Sequence, residues 1–362
     1  MKQVTCAIIG CIISGLAAVS GETLHVPAEY PTIQDAVDAA DDGDTVAVAP
    51  GTYPENIVLD GKAITVLGTH GPEETLIDCQ DDGRGFSIGS DAGRDTVIDG
   101  FTVRNGDANG GGGGISCWHG SPTIRNCIVE NCRSEWDGGG IELAYSEAWI
   151  ENCIIRNNHG FAEIDSAFGG GVSGWFSAPV LINCLITGNT MEGDEYTSSW
   201  GYAGGLFLDN TGMDRQPVVI NCTVADNTVI LGAYEGVLAY CSPIIVNCIF
   251  WNHITDYHGD TTHVTFSNMD HTIPGGGNIR ADPLFVSDGS HDYLLSHTGA
   301  GQDETSPCVD TGSTLAELIC TGPESDRICL DTMTTRTDGI VDIGFVDMGF
   351  HYRFTYPEPP TP

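Results

Sequence analysis

The sequence predicts an all-β fold in which short strands stack as a single-stranded parallel solenoid, and three observations predict it. The phrase PTIRNCIVENC at 122–132 returns as AWIENCIIRNN (148–158), PVLINCLITGN (179–189), PVVINCTVADN (217–227) and PIIVNCIFWNH (243–253). Its Asn-Cys pair recurs at spacings of 26, 31, 38 and 26 residues, and a second landmark precedes or follows each copy: GGGGGISC, DGGGIELA, GGGVSGWF, AGGLFLDN and YEGVLAYC. Three short strands per unit, separated by turn residues at a period near 26, are the signature of stacked coils. Composition agrees, since 48 Gly in 362 residues and only 17% charged residues leave little material for long helices.

The elements follow in chain order. Residues 1–20 combine one Lys, an apolar run and the small-residue end Ala18-Val19-Ser20 before Gly21, a pattern that predicts a secretory signal peptide and a secreted or extracytoplasmic protein. Ile8-Ile9-Gly10-Cys11 resembles a lipoprotein box but leaves almost no hydrophobic stretch before Cys11, so ordinary cleavage near residue 20 is the expectation. No other segment offers the ~18 apolar residues that span a bilayer, so an integral membrane protein is not expected. In residues 21–74, Pro31 followed by Ile33, Val37 and Ala40 predicts a short helix with Pro in its first turn, and TVAVAP (45–50) and AITVLG (63–68) predict the first strands. The helix is placed to cover the open end of the stack.

Residues 75–290 carry the repeats, and 291–362 form a closing segment with a Pro-rich tail. Alternation puts Ile124, Cys127 and Val129 on one parity around a bend at Asn126, with Arg125 and Ile128 on the other. The counterparts of Ile124 are Ile150, Leu181, Val219 and Ile245, an apolar column expected to form core. Asn126 and its counterparts read as a bend ladder whose amides satisfy backbone groups of neighbouring coils. Cys127 and its counterparts read as a stack of buried thiols, because parallel side chains one coil apart are poorly aimed for a disulfide. Cys320 and Cys329 are the expected bonded pair.

Several segments resemble right-handed parallel β-helix repeat proteins of the pectin-lyase-like superfamily, in particular an exported bacterial group. They are YPTIQDAVDAADDGDTVAVAPGTYPENI (30–57), NIRADPLFVS (278–287), SPCVDTGS (306–313) and DGIVDIGFVDMGFHY (338–352). The resemblance implies a right-handed parallel β-helix over about residues 24–352 with a short N-terminal capping helix and an irregular C-terminal segment. It implies no single activity, since the superfamily hosts lyases, hydrolases, esterases, epimerases and adhesins. Gly51-Thr52-Tyr53-Pro54-Glu55 matches an early motif of pectin methylesterases, but the motifs holding their two catalytic Asp are absent. A lyase needs a base, and the chain after residue 20 keeps one Lys, Lys62.

Charge excludes further classes. With 50 acidic and 13 basic residues, a net of -37, the chain has no surface for nucleic acid and repels anionic membranes and polyuronates unless cations bridge them. The irregular loops RNGDANGGGG (104–113), NCRSEWDGGG (131–140), NNHGFAEIDSAFGGG (157–171) and NTMEGDEYTSSWGYAGG (189–205) occupy one place in successive units, so they should lie side by side. They supply Asp107, Trp136, Glu163, Tyr196, Trp200 and Tyr202 as candidate glycan contacts, because aromatic faces pack on sugar rings and carboxylates accept hydroxyl hydrogen bonds. Glu135, Asp137, His159 and Asp165 are acid–base candidates, a role that requires carboxyls about 5–10 Å apart. Glu192, Asp194 and Glu195 are candidate Ca²⁺ ligands.

His119 and His159 lack a second His at ligand spacing, so zinc is not expected. Trp118, Trp149, Trp175 and Trp251 read as wall packing rather than ligand stackers. The leading expectation is a monomeric protein that binds a polysaccharide or cell-surface glycan. The alternatives are a non-catalytic structural or adhesive surface protein, and a polysaccharide lyase or glycosidase with an atypical site.

Overall fold

The computed structural model describes residues 21–163, 165–253, 255, 257–322 and 327–353. The leader expected at 1–20, with Cys11, and the Pro-rich end of the chain from 354 lie outside them. Within the described residues the chain winds into coils whose strands form three parallel walls. The first wall has ten strands, including Thr123–Arg125; the second has eight, including Ile128–Glu130; the third has eight, including Ile115–Trp118.

Register between coils is without offset, so like positions stack. Ile124, Ile150, Leu181, Val219 and Ile245 pair in succession on the first wall. Val129, Ile155, Ile186, Val224 and Phe250 do so on the second, and Ile115, Ile141, Val172, Leu206 and Val237 on the third. All fifteen are fully buried in one continuous core. At about 1.5–3 kcal/mol for each large apolar side chain, these columns dominate the stability of the solenoid.

The helix forms at Ile33–Ala39 with Thr32 as its N-cap: Thr32 Oγ1 accepts the Asp35 N–H at 3.0 Å. Pro31 therefore stands just outside the helix rather than in its first turn, because the Thr hydroxyl takes the capping role. Glu55 adds a second cap, its carboxylate accepting the N–H groups of Ile33 and Gln34 at 2.9 and 3.0 Å. The methylesterase-like Gly51–Glu55 stretch is thus structural. Lys62 Nζ closes the other end, donating to the carbonyls of Val37, Asp38 and Ala40 at 2.7–2.9 Å.

The bend between the first two walls is the Asn-Cys pair. Asn126, Asn152, Asn183, Asn221 and Asn247 all have left-handed backbone, φ between 50° and 58°, a conformation that Asn tolerates better than most residues. Their amides bond to one another and to the C-terminal segment rather than to the backbone of neighbouring coils. Asn152 Nδ2 donates to Asn126 Oδ1 at 3.3 Å, Asn183 to Asn152 at 3.0 Å, and Asn247 to Asn221 at 3.1 Å.

Backbone groups are satisfied by a second ladder. Asn158, Asn189 and Asn227 donate through Nδ2 to the carbonyls of Val129, Ile155 and Ile186 at 2.9–3.0 Å, and accept the N–H groups of Cys132, Asn158 and Asn189 at 3.0 Å. Cys127, Cys153, Cys184, Cys222 and Cys248 are buried free thiols, and Cys320–Cys329 is a disulfide.

The C-terminal segment lies along the flank of the solenoid, over the second wall and the Asn bend. Leu294, Phe350 and Tyr352 pack on Leu185, while Leu295, Cys308 and Met348 pack on Ile249. Asn183 Nδ2 donates to the His351 carbonyl and Asn221 Nδ2 to the Asp347 carbonyl, each at 2.9 Å. This side of the molecule is covered. The third wall lies on another side, and the loops reach over it.

Candidate functional site

Strand alternation decides what the third wall presents. Ile115, Cys117, Ile141 and Leu143 point into the core, which turns Ser116, Trp118 and Glu142 outward. In register, the outward column reads Ser87, Ser116, Glu142, Ser173, Phe207 and Leu238. Its first four members are polar and its last two apolar.

The variable loops are themselves built from strands. Asp107–Ala108, Arg133–Ser134, His159–Phe161, Thr190–Glu192 and Thr228–Ile230 make a five-stranded parallel ladder, and Ala167–Phe168, Gly201–Tyr202 and Gly232–Ala233 a three-stranded one. The Gly runs let each loop fold back tightly onto the third wall. Gly138 turns there at φ 63°, in the left-handed region that Gly adopts freely.

Over the apolar half of the column the loops close a roof. Phe168 packs on Phe207 with ring centroids 4.6 Å apart and stacks on Tyr202 at 5.0 Å. Over the polar half they leave a groove of about 420 Å³, lined among others by Asp60, Arg84, Ser116, Trp118, Trp136 and Glu142. Trp118 and Trp136 are 55% and 57% exposed, so half of each ring surface is free to meet a ligand.

The polar groups of the groove are held in place. Ser116 Oγ donates to Glu142 Oε2 at 2.8 Å, and Arg84 Nε donates to the Gly111 carbonyl at 2.8 Å. A Cβ on Gly111 would fall 2.4 Å from the Glu142 carboxyl carbon, so Gly there is what admits the carboxyl. Burial pushes the Glu142 carboxyl above its ordinary range, opposed by the Ser116 hydrogen bond and the Arg84 charge. Asp137 Oδ1 accepts the Phe168 N–H at 2.6 Å. Burial pushes that carboxyl up to about 7, the Phe168 N–H opposing and the Glu142 charge adding. Ser173, next to Glu142 in register, is fully buried with no hydrogen-bond partner for its Oγ.

Of the sequence candidates, Trp136 lines this groove, Asp137 lies near it, bonded to the Phe168 N–H and within reach of the Glu142 charge, and Tyr202 belongs to the adjoining roof, where it also stacks on Tyr234 at 6.3 Å. The others are strung along the loop edge. Asp107 pairs with Arg133 at 3.7 Å, and Glu135 is half-buried beside that ladder. His159 Nε2 lies 3.0 Å from Glu192 Oε2. Glu163, Asp165, Glu195, Tyr196 and Trp200 are exposed at loop tips, and Asp194 Oδ1 accepts the Tyr196 N–H of its own turn at 2.8 Å.

Glu192, Asp194 and Glu195 do not converge as cation ligands. Among the described residues, the one acidic group with three mutually close ligand atoms is Asp310, Asp342 and Asp347 in the C-terminal segment. There Asp342 Oδ2 already faces His351 Nε2 at 2.8 Å, and Asp347 Oδ1 accepts the Asp310 N–H at 2.7 Å.

Trp118 corrects the wall-packing expectation, because its outward parity at the end of Ile115–Trp118 leaves it at the groove rim. Trp175 does pack, between Phe168 and Phe207, and Trp149 lies under the Arg94 guanidinium at 4.6 Å. Glu142 was missed because it lies in a regular strand, and Arg84 because the turn before Phe86–Ile88 stands outside the four variable loops. For Glu142 the signal was present, since its parity between Ile141 and Leu143 turns it outward.

Comparison with known proteins places this geometry. Residues 82–270 match the family described as the right handed beta helix region. Among solved structures, a pectin methylesterase from Aspergillus niger in penultimately deglycosylated form is 15% identical, with 74% of this chain and 83% of that chain covered and a TM-score of 0.39. The same enzyme in deglycosylated form is 14% identical, with coverage of 72% and 93% and a TM-score of 0.36. No curated protein matches the sequence.

Proposed function

The chain belongs to the right-handed β-helix family, and from that premise we propose that it is an extracytoplasmic protein that binds a carbohydrate in the groove of its third wall. The observation that carries the reading is the pair of half-exposed tryptophans, Trp118 and Trp136, set across a pocket that also holds Glu142, Arg84 and Ser116. Indole faces pack against the apolar faces of sugar rings, and fixed polar groups select hydroxyl patterns. The site residues differ in part from those the loops alone suggest: two regular strands supply Trp118 and Glu142, and the loops supply Trp136.

The test is intrinsic tryptophan fluorescence during titration with a panel of oligosaccharides. A member of the panel is expected to shift the emission and saturate, and Trp118→Ala to weaken that binding about 10-fold or more, near 1.4 kcal/mol. A panel without effect, or a Trp118→Ala variant that binds equally well, would remove the reading. Secretion belongs to the same proposal. N-terminal sequencing of protein recovered outside the cytoplasm is expected to begin at or near Gly21.

A second reading is an adhesive surface protein. Leu318, Ile343 and Phe345 support it, being 56%, 72% and 55% exposed on the C-terminal segment, away from the groove. Surface attachment that survives glycan competition and is lost in Ile343→Ser would favour it.

A further inference from the structure

Resting on the groove reading above, we infer that the preferred ligand is a glycan bearing free amino groups, a glucosamine-type saccharide, rather than a uronate or a fully neutral chain. The groove lining sets two carboxyls against one guanidinium, and a third carboxyl stands nearby. Asp60 and Glu142 line it, Asp137 stands close enough for the Glu142 charge to act on it, and Arg84 is the lone cation.

Arg84 is partly engaged by the protein itself. Its Nε is committed to the Gly111 carbonyl at 2.8 Å, and its charge bears on Glu142. A uronate carboxylate would therefore enter beside Asp60 and Glu142 against the field of a chain of net charge -37. An ammonium reverses each of those signs. It offers three donors to carboxylates that now accept few: Glu142 holds the Ser116 hydroxyl, and Asp137 holds the Phe168 N–H.

Burial holds Glu142 in the groove and Asp137 near it partly against ionisation, and a bound cation would relieve that cost. The Trp118 and Trp136 faces suit the ring of an amino sugar as well as that of a neutral one, so the charge is what discriminates.

The experiment titrates the intact mature chain with four oligomers of matched length at about pH 6: glucosamine, N-acetylglucosamine, glucose and galacturonate. Glucosamine oligomers are expected to bind about 10-fold or more tighter than their acetylated counterparts. Raising salt from about 0.05 to 0.5 M is expected to erode that margin, and galacturonate to be the weakest of the four. Glu142→Gln should collapse the preference, and the exposed Asp60→Asn should reduce it should the first variant fold poorly.

Equal binding of acetylated and free-amine oligomers, or a preference untouched in both variants, would overturn the inference. Binding of neutral oligomers that still depends on Trp118 would in that case leave the groove reading standing. No binding of any oligomer would remove both.

Discussion

Each coil has two sides built to opposite rules. At the bend between the first and second walls, side chains answer one another from coil to coil: the Asn152–Asn126 and Asn183–Asn152 bonds outside, the Asn158–Asn189–Asn227 ladder inside, and a stack of buried thiols between them. On the third wall the same coils present a column that changes from Ser87 to Leu238, roofed by loops of unequal length. There two carboxyls are pushed up by burial, Ser173 Oγ has no partner, and two indoles are half bare. Satisfied polar groups and repeated registers stabilise; partly satisfied ones at a concave surface await a ligand. The regular side holds the shape, and the irregular side is the one proposed to carry recognition.

Substitutions on the two sides should separate stability from binding. The largest effect is expected from Asn189→Ala on the inner ladder. It removes the acceptor for the Asn158 N–H and the donor to the Ile155 carbonyl, both buried. Each orphaned group costs about 1–3 kcal/mol, so the unfolding midpoint in denaturant should fall by an amount equivalent to about 3 kcal/mol. A loss below about 1 kcal/mol would show that the ladder is incidental.

Over a single pH unit, a smaller effect comes from Asp137. Its folded pKa is raised to about 7, so the folded state binds the proton more tightly than the unfolded chain does. Its contribution to stability is fully present below the ordinary carboxylate range and is lost as pH rises through about 7. Stability should fall between about pH 4 and 7 with a slope of up to about 1.4 kcal/mol per pH unit from this one group, and Asp137→Asn should remove that part of the slope. An unchanged pH profile would show that the acid is ordinary. The smallest stability effect is expected from Trp136→Ala, within about 0.5 kcal/mol, because its ring is largely outside the core. A larger loss would make Trp136 part of the scaffold.

The scaffold was largely legible in sequence because a coil must place the same residue at the same bend, and Asn-Cys marks that position five times. The inner ladder was equally present, as the last residue of each repeated phrase: Cys132, Asn158, Asn189, Asn227 and His253. It leaves a weaker mark because the residue type varies along it, from Cys132 at one end to His253 at the other. The groove was half legible. Loop composition pointed to Trp136 and Asp137, while Trp118 and Glu142 sit in ordinary strands whose outward parity matters only once the loops are seen to fold over them. The docking of the C-terminal segment was not legible, since Asn183 and Asn221 bond to the backbone carbonyls of His351 and Asp347. A carbonyl is common to every residue and leaves no mark in sequence.

The contrast between the two sides is tested most directly by amide hydrogen exchange of the chain with and without a saturating oligosaccharide. Protection is predicted to rise at about residues 108–118 and 133–142, around the groove, and to stay unchanged at 122–132 and along the C-terminal segment. Protection confined to the bend or to residues 313–351 would contradict the assignment of recognition to the third wall.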